Sequence, residues 1–211
     1  AFGAFQVLRR SGLVDPTKPK ELLTTVKRAK IIGPCAAAVA HGADEYPEAG
    51  AVADEHGELT FGELNAHANA LANHLLASGI KPGSVIGVIA RDHRGLLTTM
   101  SAAGKAGFRL AMMNTGFGKT QFAEVAEREK IVAMLYDEEF TETVDRALAD
   151  SPETPRIVAW TDTDGHERTV ESMIEAHAGQ QPQRASTKSR TILLTSGTTG
   201  TPKGASHSGG D

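Results

Sequence analysis

The chain has 211 residues, 40% of them hydrophobic and only 5% aromatic, and its 22 Lys and Arg against 26 Asp and Glu give a formal net charge of −4. That length holds one large domain or two small ones around a core built mainly from Ala, Val, Leu and Ile, and the slightly acidic balance argues against a large nucleic-acid footprint, where a basic stripe is expected. A single cysteine, Cys35, excludes an intramolecular disulfide and fits a reducing compartment.

Residues 1–48 read as a variable helical lead-in, with helices predicted over Glu21 to Lys30 and Cys35 to Asp44. Arg9, Arg10 and the lysines from Lys18 to Lys30 make this segment basic, but acidic neighbours dilute the charge. A solvated surface is expected there, with peripheral contact to an anionic membrane as the alternative. No apolar run approaches the ~20 residues that span a bilayer. Residues 1–14 lack the uninterrupted apolar core of a secretory signal, so the expected location is the cytoplasm. The apolar neighbours of Cys35 predict a small packed thiol rather than a nucleophile.

From residue 49 onward strands and helices alternate. Ala51 to Ala53 and Glu58 to Thr60 are predicted strands around a His56-Gly57 turn. Thr60 and Glu63 have capping-box spacing, and Leu64, Ala68, Leu71 and Leu75 continue at helical intervals until Gly79 stops the helix. Val85 to Ala90 is a continuous apolar run, the pattern of a buried parallel strand. Further on come a helix over Leu96 to Ala106, a strand over Phe108 to Met113, a helix over Gln121 to Lys130 and a strand over Ile131 to Tyr136. A helix over Glu138 to Leu148, a strand over Arg156 to Trp160 and a helix over Val170 to Ala178 follow. The polar stretch Gly179 to Arg190 is a predicted loop before the last strand, Thr191 to Thr195. This order predicts an α/β fold with a mostly parallel sheet and helices on both faces.

The last strand runs into Thr195-Ser196-Gly197-Thr198-Thr199-Gly200-Thr201-Pro202-Lys203-Gly204. Gly197 and Gly200 can adopt positive φ and bring main-chain N–H groups close to an anion. The hydroxyls add donors and Lys203 adds a mobile positive charge, which together are the chemistry of a triphosphate cradle. The plainer alternative is a Ser/Thr/Gly linker without ligand. Walker A does not fit, because Pro202 and Gly204 occupy positions that need Gly and Ser or Thr.

The run resembles, at every fixed position, the phosphate-loop signature of the adenylate-forming superfamily of acyl-CoA synthetases, luciferases and peptide-synthetase adenylation domains. Leu59 to Leu64 resembles the family's early helix start, and Gly79 to Gly83 its turn before a strand, with Ser84 in place of the common aspartate. Arg91 to Gly95 and Met113 to Phe117 are similar to stretches of bacterial, particularly actinobacterial, fatty-acyl-CoA ligases, which usually carry Asn where Asp92 stands. The resemblance implies that residues 49–211 are the first part of the large AMP-binding N-terminal domain, truncated after the phosphate loop. It also implies activation of a carboxylic, fatty acid by ATP-Mg²⁺ through an acyl-adenylate, followed by thioester formation with CoA. Thr195, Ser196, Gly197, Thr198, Thr199, Gly200, Thr201, Pro202 and Lys203 would hold the triphosphate. No residue here takes the roles of metal ligand, adenine loop or catalytic lysine, which in the family lie further on, so the isolated chain is expected to be inactive. The alternatives are a non-catalytic nucleotide-binding or interaction module, and a ligase that passes its acyl-adenylate to a carrier protein; homodimerisation stays open.

Several other features compete for a role. Gly116-Phe117-Gly118-Lys119-Thr120 ends like a P-loop, with Ile131 to Asp137 imitating a Walker B strand, yet Met113 occupies the position of the first glycine. A helix-start turn is the expectation. Arg91-Asp92-His93-Arg94 lies at the carboxyl end of a predicted strand, where substrate contact competes with a favoured solvated, salt-bridged helix start. His67 and His74, two turns apart, are read as surface residues that cannot share a metal, and Met100, Met112 and Met113 as core. The role of His207 is open.

Overall fold

The computed structural model describes residues 19–163, 165–181, 187–195 and 203–207. Helices α1 (Pro19–Ile32) and α2 (Pro34–Glu45) precede a hairpin of β1 (Gly50–Asp54) and β2 (Gly57–Thr60), then α3 (Phe61–Ala77). The alternating part runs β3 (Val85–Ile89), α4 (Arg94–Ala106), β4 (Arg109–Met112), α5 (Lys119–Glu129) and β5 (Ile131–Asp137). A 3₁₀ turn (Glu138–Phe140) leads into α6 (Thr141–Ala147), followed by β6 (Arg156–Trp160), α7 (Val170–Ala176), β7 (Arg190–Thr195) and β8 (Lys203–His207). Among these, β8 is the element that the sequence does not announce. Its Gly, Ala and Ser favour strands weakly, and it is a strand because β7 offers a free edge to pair with.

The continuous apolar run of β3 is buried at all five positions, as a strand covered on both faces requires. It lies inside a six-stranded sheet ordered β6-β5-β3-β4-β7-β8. Neighbours from β6 to β7 pair in parallel, and β8 pairs antiparallel with β7. Alternate residues of the strands feed two cores. Ile86, Val88, Leu110, Leu135 and Ile157 pack with α3, α4 and α7 on one face. On the other face Val85, Ile89, Met134, Val158 and Ile192 pack with α5 and α6. Met113 is in the second core, with Met100 and Met112 against the first, as core positions rather than an acyl-binding surface.

The helices end where local chemistry says they should. At the start of α3 the Thr60 hydroxyl accepts from the Glu63 N–H at 3.2 Å, and the Glu63 carboxylate accepts from the Thr60 N–H at 2.8 Å. Past its end, Gly79 takes φ 90° and donates to the Leu76 carbonyl, a backbone position that side chains disfavour. The end of α1 presses against α4 at Gly104, where a Cβ would collide with the Ile32 carbonyl oxygen and the Ala36 side chain. The lead-in helices are therefore seated on the sheet's own helical layer. Among the described residues no helix is long and apolar enough to cross a membrane.

Lys105 of α4 is 8% exposed, and its ammonium donates to the side-chain oxygens of Asn65 at 2.7 Å and Asn69 at 2.6 Å on α3. No carboxylate is among these partners. Burial, with the nearby Arg28 charge, lowers the Lys105 pKa to about 8. The unfolded chain, with an ordinary lysine near ~10.4, then binds more protons between those values. The Lys105 contribution to stability rises with pH over that window and is smallest at neutral pH. Lys105→Met leaves the same two asparagine oxygens unpaired at every pH. Denaturant titrations of parent and variant should therefore differ in a pH-dependent way, the parent gaining about 3 kcal/mol on the variant between pH 7.5 and 10.5. A pH-independent difference would refute the buried-cation account.

Candidate functional site

Parallel strands bring their carboxyl ends to one edge, and two places on that edge matter. At one end of the sheet, Thr195 closes β7 and pairs in register with Lys203, the first residue of β8. The residues of the phosphate loop between them, Ser196 to Pro202, lie outside the described residues, as do the side chains of Thr195 and Lys203. The hairpin register nevertheless brings together the two termini of the loop, which are eight positions apart in sequence. Its mouth is at the carboxyl edge of the parallel sheet, where ligands of open α/β folds gather. His207 pairs with Thr191 at the far end of the hairpin, away from the loop.

The second place follows from chain routing. The connection after β3 goes to the α4 face, and the connection after the adjacent β5 goes to the α6 face. Diverging connections open a crevice, and a cavity of about 590 Å³ lies there, reached by residues after β3, β5 and β6. Its lining is dominated by carboxylates, among them Asp92, Asp137, Glu138, Glu139 and Asp162, against Arg91 and His93. Such a wall repels a triphosphate. With neighbouring strands about 4.8 Å apart and β4 between β3 and β7, the cavity and the hairpin mouth are separate regions of one edge.

The buried polar groups of the cavity and Arg91 are locked into pairs. Asp137 is 3% exposed; its carboxylate accepts from the Arg91 N–H at 2.6 Å and lies 2.9 Å from His93 Nε2. Nδ1 of His93 accepts from the Gly95 N–H at 3.0 Å, so the proton is on Nε2 and is donated to Asp137. With both nitrogens used, His93 has no lone pair left for proton abstraction. Gly95 is required for this seat, since a Cβ there would meet the Ala159 carbonyl oxygen. The Arg91 guanidinium grips Glu139 through two bonds of 2.8 Å, which holds the Glu139 carboxyl below its usual range. Arg94 does the same to Asp54 on the β1–β2 hairpin, holding it down to about 2. The rings of His56 and Trp160 stack at 4.0 Å, with His93 on Trp160 at 4.6 Å.

The Arg91 to Arg94 cluster is thus salt-bridged as the sequence suggests, but it is not solvated throughout. His93 is buried and caps α4, and the Arg94 side chain is 16% exposed. The expectation erred because its acidic partners come from β1, from the end of β5 and from the 3₁₀ turn, remote in sequence. The Gly116 to Thr120 run is a helix-start turn, as its missing glycine implies. Gly118 has extended backbone (φ −64°, ψ 152°), and its N–H donates to the Gln121 side chain at 3.3 Å. Asp137, the Walker B imitation, is spent on His93 and Arg91. His67 and His74 are half-buried rather than on the surface. Burial, then the charge of nearby His177, lowers the His74 pKa. Cys35 is a half-buried thiol 3.6 Å from the Ser101 hydroxyl, and burial pushes its pKa up, against a nucleophilic role.

Asp137→Asn offers one oxygen and one NH₂ group to two donors, so either Arg91 N–H or His93 Nε2–H faces another donor. We expect a loss of about 2 kcal/mol in denaturant stability and altered emission of Trp160, the sole tryptophan. Asp92→Asn on the exposed side should stay within about 0.5 kcal/mol of the parent. Equal effects would mean that the lock does not stabilise the edge.

Comparison with known proteins agrees with this architecture. The 3-oxocholest-4-en-26-oate–CoA ligase of Rhodococcus rhodochrous is 28% identical over 173 residues, 79% of this chain and 31% of that protein. The medium/long-chain-fatty-acid–CoA/3-oxocholest-4-en-26-oate–CoA ligase of Mycobacterium tuberculosis (strain ATCC 25618 / H37Rv) is 27% identical over 171 residues, 78% of this chain and 31% of that protein. The chain spans about a third of the length of these relatives. The crystal structure of the anthranilate CoA ligase AuaEII in complex with anthranoyl-AMP shares the fold, with a TM-score of 0.72 at 18% identity over 82% of this chain and 33% of that one. The family model described as AMP-binding enzyme matches residues 39–211, from within α2 to the end of the chain. On that match, which takes in the whole sheet and the phosphate loop, the chain belongs to the AMP-binding enzyme family.

Proposed function

We propose that this chain is the phosphate-binding part of a ligase that activates a carboxylic acid of the fatty-acid class with ATP, through an acyl-adenylate, and then forms its CoA thioester. The observation that carries this reading is the β7–β8 hairpin. Its register closes a loop of hydroxyl residues and glycines, ending in Lys203, at the ligand-binding edge of the sheet. The relatives named for medium/long-chain fatty acids and for a steroid acid support the fatty-acid class.

The division of labour follows from charge. As the acid's carboxylate oxygen bonds to the α-phosphorus, the bond from that phosphorus to the pyrophosphate oxygen breaks and negative charge grows on the leaving group. Backbone N–H groups of Gly197 and Gly200, the hydroxyls of Thr195, Ser196, Thr198 and Thr199, and the Lys203 ammonium would supply donors to the β- and γ-phosphates, with Thr201 and Pro202 part of the same binding loop. Mg²⁺ enters with ATP and is given no ligand from this chain. In the second step a CoA thiol displaces AMP from the acyl carbon, with pyrophosphate already gone. Positioned donors act most strongly where charge develops, so the loop serves the first step. The acidic cavity beside β3 and β5 is unsuited to the triphosphate and takes no part in this reading.

The test is acid-dependent ATP–pyrophosphate exchange in the full-length protein, with product analysis in the presence and absence of CoA. Medium- and long-chain fatty acids should support exchange, and CoA should convert the adenylate into thioester. Exchange with benzoate or anthranilate alone would overturn the fatty-acid assignment, and an adenylate that persists with CoA would favour a carrier-protein acceptor. No exchange with any acid would favour the binding-module alternative.

Lys203→Ala should slow the adenylation half-reaction by about 10²-fold, the scale of a lost transition-state donor, and leave thioester formation from supplied acyl-adenylate nearly unchanged. Lys119→Ala, at the incomplete Gly-Lys-Thr run, should change ATP use little. Comparable losses in the two variants would put the phosphate loop at the wrong lysine.

A further inference from the structure

Helix α1 is fastened to the fold by one side. Thr25 Oγ1 lies 3.5 Å from His41 Nδ1, and the Arg28 guanidinium donates to Asp44 at 2.7 Å, both partners on α2. Ile32 ends the helix against Gly104 of α4. With about 3.6 residues to a turn, Leu23, Val26, Lys27, Lys30 and Ile31 gather on the opposite side, and all five are exposed. Leu23 is 58%, Val26 46% and Ile31 47% exposed. Two other large hydrophobic side chains are exposed among the described residues, Tyr46 and Val132, and neither is on this helix. A single exposed aliphatic residue is ordinary, but a group on one face marks an interaction surface.

We propose that this face of α1 docks on a membrane surface that carries anionic lipid. Its aliphatic side chains enter the boundary between headgroups and acyl chains. Lys27 and Lys30 lay their stems on the apolar surface and reach lipid phosphates with their ammonium groups. Charge selects this partner. The whole chain is acidic at −4, yet residues 18–32 hold Lys18, Lys20, Lys27, Arg28 and Lys30 against Glu21 alone. Arg28 is matched by Asp44 on the inner side, and the backbone position of Glu21 is about half a turn from those of Leu23 and Lys30. The outward face is therefore apolar and cationic together, the composition of a helix that lies in the interface plane. A second copy of the chain fits it poorly, because a two-fold contact through this face sets lysines against lysines. The sequence alone favours a solvated surface here, since charge is visible in it and the exposure of Leu23, Val26 and Ile31 is not. The inference does not depend on the proposed ligase reaction, and its test needs no substrate.

The test is cosedimentation of the full-length protein with phosphatidylcholine vesicles, made with and without phosphatidylglycerol. Binding should be at least about tenfold stronger on the anionic vesicles and should weaken as salt is added. Lys27→Gln and Lys30→Gln should each weaken it about fivefold. Lys130→Gln, at an exposed lysine that ends α5 on the other face of the sheet, should leave it unchanged. Leu23→Gln should also weaken binding about fivefold, an effect that adsorption by charge alone does not produce. No binding, equal binding to the two kinds of vesicle, or parent-like binding by Leu23→Gln or by both Lys27→Gln and Lys30→Gln overturns the proposal. A loss in Lys130→Gln as large as theirs does the same. Self-association without vesicles that Leu23→Gln abolishes would assign the face to a second copy and overturn the lipid surface.

Discussion

Burial of β3 on both faces is the constraint from which the rest of the architecture follows. A strand whose five residues are all removed from water needs a helical layer on each side. A parallel neighbour can be reached only by a crossover long enough to supply that layer. Helices α4 and α7 cover one face and α5 and α6 the other, and each crossover delivers the chain back to the same end of the sheet. The carboxyl ends of β3, β4, β5, β6 and β7 therefore share one edge, although they are scattered over a hundred residues of sequence. The loops that leave these strands are therefore neighbours at that edge, where open α/β folds bind ligands.

That edge is divided by electrostatics. Around β3, β5 and β6 the polar groups form closed pairs, and the carboxylates outnumber the cations. Closed pairs make a rigid frame and hold the β1–β2 hairpin, through Arg94 and Asp54, against the start of α4. They do not make a reactive centre, because neither His93 nitrogen is free. At the β7–β8 end the sequence of the connecting loop instead holds hydroxyl residues, glycines and a lysine, with no carboxylate. An anion as dense as a triphosphate is repelled by the first region, and the proposed function assigns it to the second. Membership of the AMP-binding enzymes rests on the family match; the charge division is the physical ground on which the proposed function assigns the nucleotide to the β7 end.

Away from the edge, the helical layer carries buried polar chemistry of its own. Lys105 is held by asparagine oxygens rather than carboxylates, so its charge is tolerated at a cost that varies with proton concentration. The asparagines that hold it lie on α3, the helix that packs against both α2 of the lead-in and α7.

Local patterns in the sequence determined where the elements are and what type they have. The capping box at Thr60 and Glu63, the glycine stop at Gly79 and the unbroken apolar run at Val85 are all encoded within a few residues, and each is found where the pattern puts it. The phosphate-loop string is likewise a local signature, legible before any fold. Strand order, the antiparallel return of β8 and the partners of charged side chains were decided by tertiary structure alone. His93 meets Asp137 across 44 positions, Lys105 meets Asn69 across 36, and Asn73 meets Gln181 across 108. Periodicity reports only whether a side chain faces inward. Which remote group it meets depends on how crossovers order the strands and seat the helices, a property of the assembled chain rather than of any window of it.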